Sequence, residues 1–153
     1  MDIGDDVPDF ELPDETGTPR KLSELLASGP VVLFFYPAAM TTGCTAESCH
    51  FRDLAGEFAE VGAQRVGISG DAVEKQKQFS DKHEFDYPLL SDSEGEVANI
   101  MGVKRGLAGL SPLKRTTFVI GTDHKVLAKI TSELRMSLHA DKALETLQVA
   151  NTA

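Results

Sequence analysis

Positive charge is scarce in this sequence: 15 Lys and Arg stand against 24 Asp and Glu, a formal charge of -9. Affinity for a phosphate backbone depends on positive charge. No basic cluster interrupts the acidic surplus, so no nucleic-acid partner is expected. An acidic surface serves solubility first, and it favours a partner with a positive patch. Long apolar runs are also missing. None approaches the roughly 20 residues that span a bilayer, so no membrane association is expected. The acidic start Met1-Asp2-Ile3-Gly4-Asp5-Asp6 lacks the basic and apolar regions of a secretory signal, which makes a cytoplasmic location the expectation. Cysteine is sparse, with two in 153 residues. In a reducing compartment so few point to chemistry or reversible redox rather than to a structural staple. Internal repeats and low-complexity segments are absent too.

What remains is an ordinary globular composition, with 41% hydrophobic and 25% charged residues, which argues against disorder. The length suits one compact domain spanning residues 1–153, large enough to bury a core without metal or disulfide support. Residues 1 to 30 predict a short extended segment, a turn at Asp14-Glu15-Thr16-Gly17 and a small helix at Leu22-Ser23-Glu24-Leu25-Leu26. Val31-Val32-Leu33-Phe34-Phe35-Tyr36 is an unbroken β-favouring run, the pattern of a strand buried on both faces at the centre of a sheet. After Pro37 a helix is expected to begin near Thr41 to Gly43, with Phe51, Leu54, Ala55, Phe58 and Val61 marking its apolar face.

A second β-run at Arg65 to Ser69 leads into a charged helix at about Ala72 to Lys82, so parallel strands with helical crossovers are favoured. Tyr87 to Leu90 reads as a short strand and Ser93 to Ile100 as a short helix. Thr116 to Ile120 and Val126 to Ile130 flank Gly121-Thr122-Asp123-His124-Lys125, which predicts an antiparallel hairpin. A tail helix from about His139 to Val149 turns Ala143, Leu144 and Leu147 inward. The expected class is α/β: a thioredoxin-like fold with a central mixed sheet flanked by helices. The glycine-rich run from Met101 to Arg115 reads as a mobile surface loop. Its Leu107, Leu110 and Leu113 either cover the core edge, the leading reading, or line a groove beside the site.

Both cysteines fall where the central β-run gives way to a helix. A cysteine at a helix N-terminus meets unpaired N–H groups and the positive end of the macrodipole, which favour thiolate over thiol. Cys44 holds that position. Helical geometry puts Cys44 on nearly the same face as Phe51, with Cys49 about 140° around the helix. Their helical rise of about 7.5 Å exceeds the Cα spacing that a disulfide tolerates, so a bond between them requires local unwinding. Thr45 to Ser48 would form the hinge. His50 beside Cys49 raises zinc as a competitor, but no second cysteine pair or spaced histidine pair completes a ligand set; no metal is expected. Two inert core thiols are the plain alternative. A cation would be needed to stabilise the thiolate, and Arg115, at the mouth of a buried-looking strand, is a candidate, although spacing alone suggests a surface salt bridge.

These residues resemble the peroxiredoxins, specifically the bacterioferritin comigratory protein or PrxQ group. Pro37, Thr41 and Cys44 match the pattern P-x-x-x-T-x-x-C, and the likeness continues through Thr45, Glu47, Cys49 and Phe51-Arg52-Asp53. Further matches are Gly4 to Phe10, Phe85-Asp86-Tyr87-Pro88-Leu89-Leu90-Ser91-Asp92, and Arg115-Thr116-Thr117-Phe118-Val119-Ile120, so the resemblance covers nearly the whole chain. It implies an atypical two-cysteine thiol peroxidase acting on hydrogen peroxide and organic hydroperoxides. Cys44 would be the peroxidatic cysteine and Cys49 the resolving one, closing an intramolecular disulfide. Thr41 and Arg115 would bind peroxide and activate the thiolate, and Pro37 would shield it. Thioredoxin or a similar dithiol would be the reductant, no cofactor is implied, and a monomer is expected.

Thr41 can serve equally as a plain helix N-cap. Ala38-Ala39-Met40 departs from the polar residues common before the threonine, and Thr42 stands where proline is frequent. Two other readings stay open: a thiol-disulfide oxidoreductase, which a Cys-x-x-Cys pair would suit better, and a redox sensor whose helix opening exposes a partner surface.

Overall fold

The structure, a computed structural model, describes residues 1–104 and 113–152. It begins with an antiparallel hairpin of β1 (Glu11–Pro13) and β2 (Pro19–Lys21), followed by α1 (Leu22–Leu26). β1 and the turn match the extended segment and turn expected from the sequence, whereas β2 was not expected, because Pro19-Arg20-Lys21 carries no β-favouring residue. Its turn is organised by Asp14, whose Oδ1 accepts the Thr16 and Thr18 amides at 2.9 and 3.1 Å and the Thr16 hydroxyl at 2.7 Å.

The main sheet holds β3 (Val31–Phe35), β4 (Gln64–Ser69), β5 (Leu89–Ser91), β6 (Thr116–Ile120) and β7 (Val126–Thr131) in the order β5-β4-β3-β6-β7. β4 runs parallel to β3 and β5 parallel to β4, whereas β6 and β7 are antiparallel additions on the other side. Every residue of β3 is buried, as its unbroken apolar run predicts for a central strand. Side-chain alternation divides the core. Val31, Leu33 and Phe35 enter one layer with Leu22 and Leu25 of α1 and Val97 of α5 (Glu96–Ile100). Val32, Phe34 and Tyr36 enter the other, beneath α2 (Thr42–Asp53), α3 (Ala55–Glu60), α4 (Val73–His83) and α6 (Met136–Thr152). Phe34 stacks on Phe51 at 4.1 Å between ring centroids, so truncating either ring would cost about 3–5 kcal/mol.

Several boundaries differ from expectation for local reasons. The helix expected through Val61 breaks at Leu54, which sits at φ -95°, ψ 20° between α2 and α3. The strand expected from Tyr87 starts at Leu89, because Pro88 has no N–H to give to a ladder. α5 begins at Glu96, where the Asp92 carboxylate accepts the amides of Val97 and Ala98 at 3.2 and 2.9 Å. α6 starts three residues earlier than read, at Met136. Leu107 and Leu110 lie outside the described residues; Leu113 is buried in the first core layer, consistent with the cover reading. Among the described residues no helix is long and apolar enough to cross a membrane.

The topology determines where chemistry can gather. β3 delivers the chain to α2, and because β6 runs antiparallel to β3, Thr116 pairs with Phe35. The residue before β6 therefore lies beside the start of α2. Thr131, at the end of β7, pairs with Thr116, and this brings the first turns of α6 to the same edge.

Candidate active site

The link from β3 to α2 is a tight loop. Met40 adopts φ 71°, a left-handed conformation that costs a non-glycine residue on the order of 1–3 kcal/mol unless its surroundings hold it. The loop is held from two sides: the Ala39 amide donates to Asp71 Oδ2 at 2.7 Å, and the Thr41 hydroxyl donates to the Ala38 carbonyl at 2.8 Å. Thr41 occupies the N-cap position with extended backbone, yet its side chain caps no amide. Cys44 is the third helical residue, inside the first turn, where backbone amides lack intrahelical partners.

Cys44 is buried, and Arg115 Nη2 donates to its Sγ at 3.3 Å. The contact sets a buried cation directly against the sulfur. The same guanidinium donates through Nη1 to Glu47 Oε1 at 2.9 Å. Arg115 is only 6% exposed, so the surface salt bridge suggested by spacing is replaced by a buried cation shared between a thiol and a carboxylate. Loss of hydration lowers the Arg115 pKa, but the charges of Glu47 and Cys44 outweigh it and hold the guanidinium above its ordinary value. Gly43 leaves room for the guanidinium: a β-carbon there would lie 3.3 Å from Arg115 Nη2, a tight contact.

Glu47 is the site residue that sequence reasoning passed over. It is fully buried on the same face as Cys44, Ser48 and Phe51, and the spacing i, i+3, i+4, i+7 carried that signal. Burial pushes its carboxyl up to about 7 against the pull of Arg115, and Glu133 adds a repulsive charge. Its Oε2 makes no hydrogen bond and faces His139 Nδ1 at 3.5 Å. His139, on α6 and fully buried, bonds through Nε2 to the Ser132 carbonyl at 2.9 Å and through Nδ1 to the Thr117 hydroxyl at 2.8 Å. A carbonyl only accepts, so Nε2 carries hydrogen and Nδ1 of the neutral ring accepts from Thr117. Burial lowers the His139 pKa and Arg115 lowers it further, while the Ser132 carbonyl acts the other way.

Cys49 lies away from this cluster, half-buried and free, as is the buried thiol of Cys44. Burial raises the Cys49 pKa, with Arg52 opposing and Asp53 adding to the rise. Of the residues singled out in the sequence, Cys44 and Arg115 touch, Pro37 and Thr41 belong to the loop that leads into Cys44, and Cys49 stands on another face of the wound helix. A cavity of about 420 Å³ opens beside Pro37 and Ala38, walled by Asp71, Asp92, Lys104 and Leu113. Leu113 is at once part of the core and of this wall, but none of Cys44, Thr41 and Arg115 lines the cavity.

The site's neighbours among known proteins are consistent. Residues 3–129 match the model of the AhpC/TSA family. A putative peroxiredoxin of Mycobacterium tuberculosis is 69% identical over 149 residues, which cover 97% of each chain. The crystal structure of the peroxidoxin BcpB from Mycobacterium tuberculosis superposes with a TM-score of 0.93 at 68% identity, covering 97% of both chains. A bacterioferritin comigratory protein from Xanthomonas campestris, described with alkyl peroxide reduction activity, superposes with a TM-score of 0.83 at 29% identity, covering 92% of this chain and 91% of its own.

Proposed function

On the premise that this chain belongs to the AhpC/TSA family, in its bacterioferritin comigratory protein and PrxQ group, and is a peroxidase, we propose that Cys44 is its peroxidatic nucleophile and Cys49 its resolving thiol. The observation that carries this reading is the Arg115 Nη2 contact on Cys44 Sγ at 3.3 Å. The Cys44 thiolate attacks the terminal peroxide oxygen, an S–O bond forms as the O–O bond breaks, and the leaving oxygen takes a proton from solvent to depart as water or an alcohol. Arg115 stabilises charge as that bond breaks, the Thr41 hydroxyl joins it by turning away from the Ala38 carbonyl to which it donates at rest, and Pro37 screens the sulfur from bulk water. Hydrogen peroxide and organic hydroperoxides are the substrates.

Cys49 then displaces water from the Cys44 sulfenic acid to form an intramolecular disulfide, and thioredoxin or a similar dithiol reduces it with oxidation of its own thiol pair. Both sulfurs lie on one helix, so the cycle needs no second copy of the chain. Peroxide consumption coupled to thioredoxin and its reductase tests the assignment. Cys44→Ser should abolish turnover, and Cys49→Ser should still consume one equivalent of peroxide but recycle poorly. Normal turnover by the Cys44 variant would reject the nucleophile, and normal turnover by the Cys49 variant would reject the resolving role.

A further inference from the structure

The peptide between Ser48 and Cys49 has to turn for Cys49 to reach Cys44, and two buried features act on that peptide. The Tyr87 hydroxyl, buried and reaching in from the segment before β5, donates to the Ser48 carbonyl at 2.7 Å. The hydroxyl of Ser48 itself is buried without any hydrogen-bond partner. The first stabilises the wound helix, and the second leaves an unpaid desolvation cost in it. Beyond Ser48 the helix is held differently. Arg65 Nη1 donates to the Phe51 carbonyl at 3.0 Å while its two terminal nitrogens chelate Asp86 at 2.9 and 2.7 Å. Arg52 Nη1 donates to the His83 carbonyl at 2.8 Å.

We propose that Tyr87 is a positioning residue for the resolving step, a latch that acts through the Ser48 carbonyl and sets how readily the turn carrying Cys49 unwinds. The inference rests on the two-cysteine reading above and names what governs it. In that step Cys49 sulfur bonds to the sulfenic sulfur of Cys44, the S–O bond breaks, and the hydroxyl leaves as water with the proton of Cys49. Before this can happen the Tyr87 bond breaks, because the carbonyl it holds belongs to the moving peptide. The Arg65 bond to Phe51 persists and stops the unwinding there. Among the described residues no hydrogen bond or ion pair joins Tyr87 to Cys44 or Arg115, so the attack on peroxide does not sense it. Burial raises the Tyr87 pKa well above its ordinary value, which keeps the hydroxyl a donor.

Rapid acid quench of the reduced full-length protein after mixing with hydrogen peroxide, followed by intact mass, separates the two steps: one added oxygen marks the sulfenic acid, and loss of two hydrogens marks the disulfide. In Tyr87→Phe the sulfenic acid should form at the wild-type rate and close to the disulfide roughly fivefold faster, the effect of one net hydrogen bond. Ser48→Ala removes the unpaired hydroxyl and should slow closure by a similar factor, again without changing the first step. A general loss of packing would not produce opposite shifts in one step alone. Equal closure rates in wild type and Tyr87→Phe, with the disulfide formed in both, would overturn the latch and leave the two-cysteine cycle intact. Absence of any Cys44 to Cys49 disulfide would overturn both.

Discussion

Asp14 and Glu47 are both buried carboxylates paired with arginine, and they behave in opposite ways. Asp14, at the β1–β2 turn, has both oxygens engaged: Oδ1 takes three hydrogen bonds, and Oδ2 accepts Arg20 Nε at 2.8 Å. Burial alone would raise its pKa, yet the bonds from Thr16, Arg20 and Thr18 win and hold it below its ordinary value. Glu47 has one engaged oxygen and one without a hydrogen bond, so burial wins and its carboxyl rises to about 7 despite Arg115. Hydrogen-bond saturation and depth of burial together decide which carboxylate stays charged: the Asp14 pair reaches solvent through Arg20, 42% exposed, whereas the Glu47 pair is closed off with Arg115 at 7%. The unsaturated one stands beside Cys44.

The comparison is broken most forcefully at the arginines. Arg115→Met should slow peroxide oxidation of Cys44 by about a hundredfold to a thousandfold, the usual loss when one preorganised charge-stabilising donor is removed. Arg20→Met should leave that rate unchanged. Rapid-mixing kinetics on the reduced proteins checks both.

The next effect is on stability. Asp14→Ala strands the amides and the guanidinium gathered around it and should cost about 2–3 kcal/mol, read by urea denaturation at neutral pH, with no change in the rate of Cys44 oxidation. Glu47→Gln should cost less than about 1 kcal/mol. Its amide oxygen can still accept from Arg115 Nη1.

The effect sharpest in sign is the dependence of stability on pH. The Asp14 pKa is depressed on folding, so its contribution is present above about 3.8 and is lost as pH falls through the folded value. The Glu47 pKa is raised, so its contribution is complete below about 4.5 and is lost as pH rises through about 7. Denaturation across a pH series should therefore show Asp14→Asn flattening the acid limb and Glu47→Gln flattening the decline between about pH 4.5 and 7. A decline that survives Glu47→Gln would contradict the assignment.

The central strand, the β6–β7 hairpin and the phase of α2 were legible because unbroken or alternating apolar patterns report burial directly. Cys44 was legible from its place at a strand-to-helix junction. Arg115 could be named but not placed, since its burial follows from the antiparallel pairing of β6 with β3, a tertiary fact with no local pattern. Glu47 carried the right spacing, but a charge on an apolar face reads locally as a solvated position until its arginine is known. His139 comes from α6, more than 90 residues from Cys44, and nothing near it in the chain announces Glu47 or Thr117. Cys49 was correctly read as displaced around the helix from Cys44, because helical geometry alone determines that angle.

Intact mass with peptide mapping tests most directly whether Cys44 and Cys49 act in sequence on one helix. Reduced protein would be treated with one equivalent of hydrogen peroxide, with and without thioredoxin and its reductase. The expected result is loss of two hydrogens, localised to a Cys44 to Cys49 bridge and reversed by the reductant. Oxygen retained on Cys44 with Cys49 still free would contradict the resolving role, and an unmodified Cys44 would contradict the peroxidatic one.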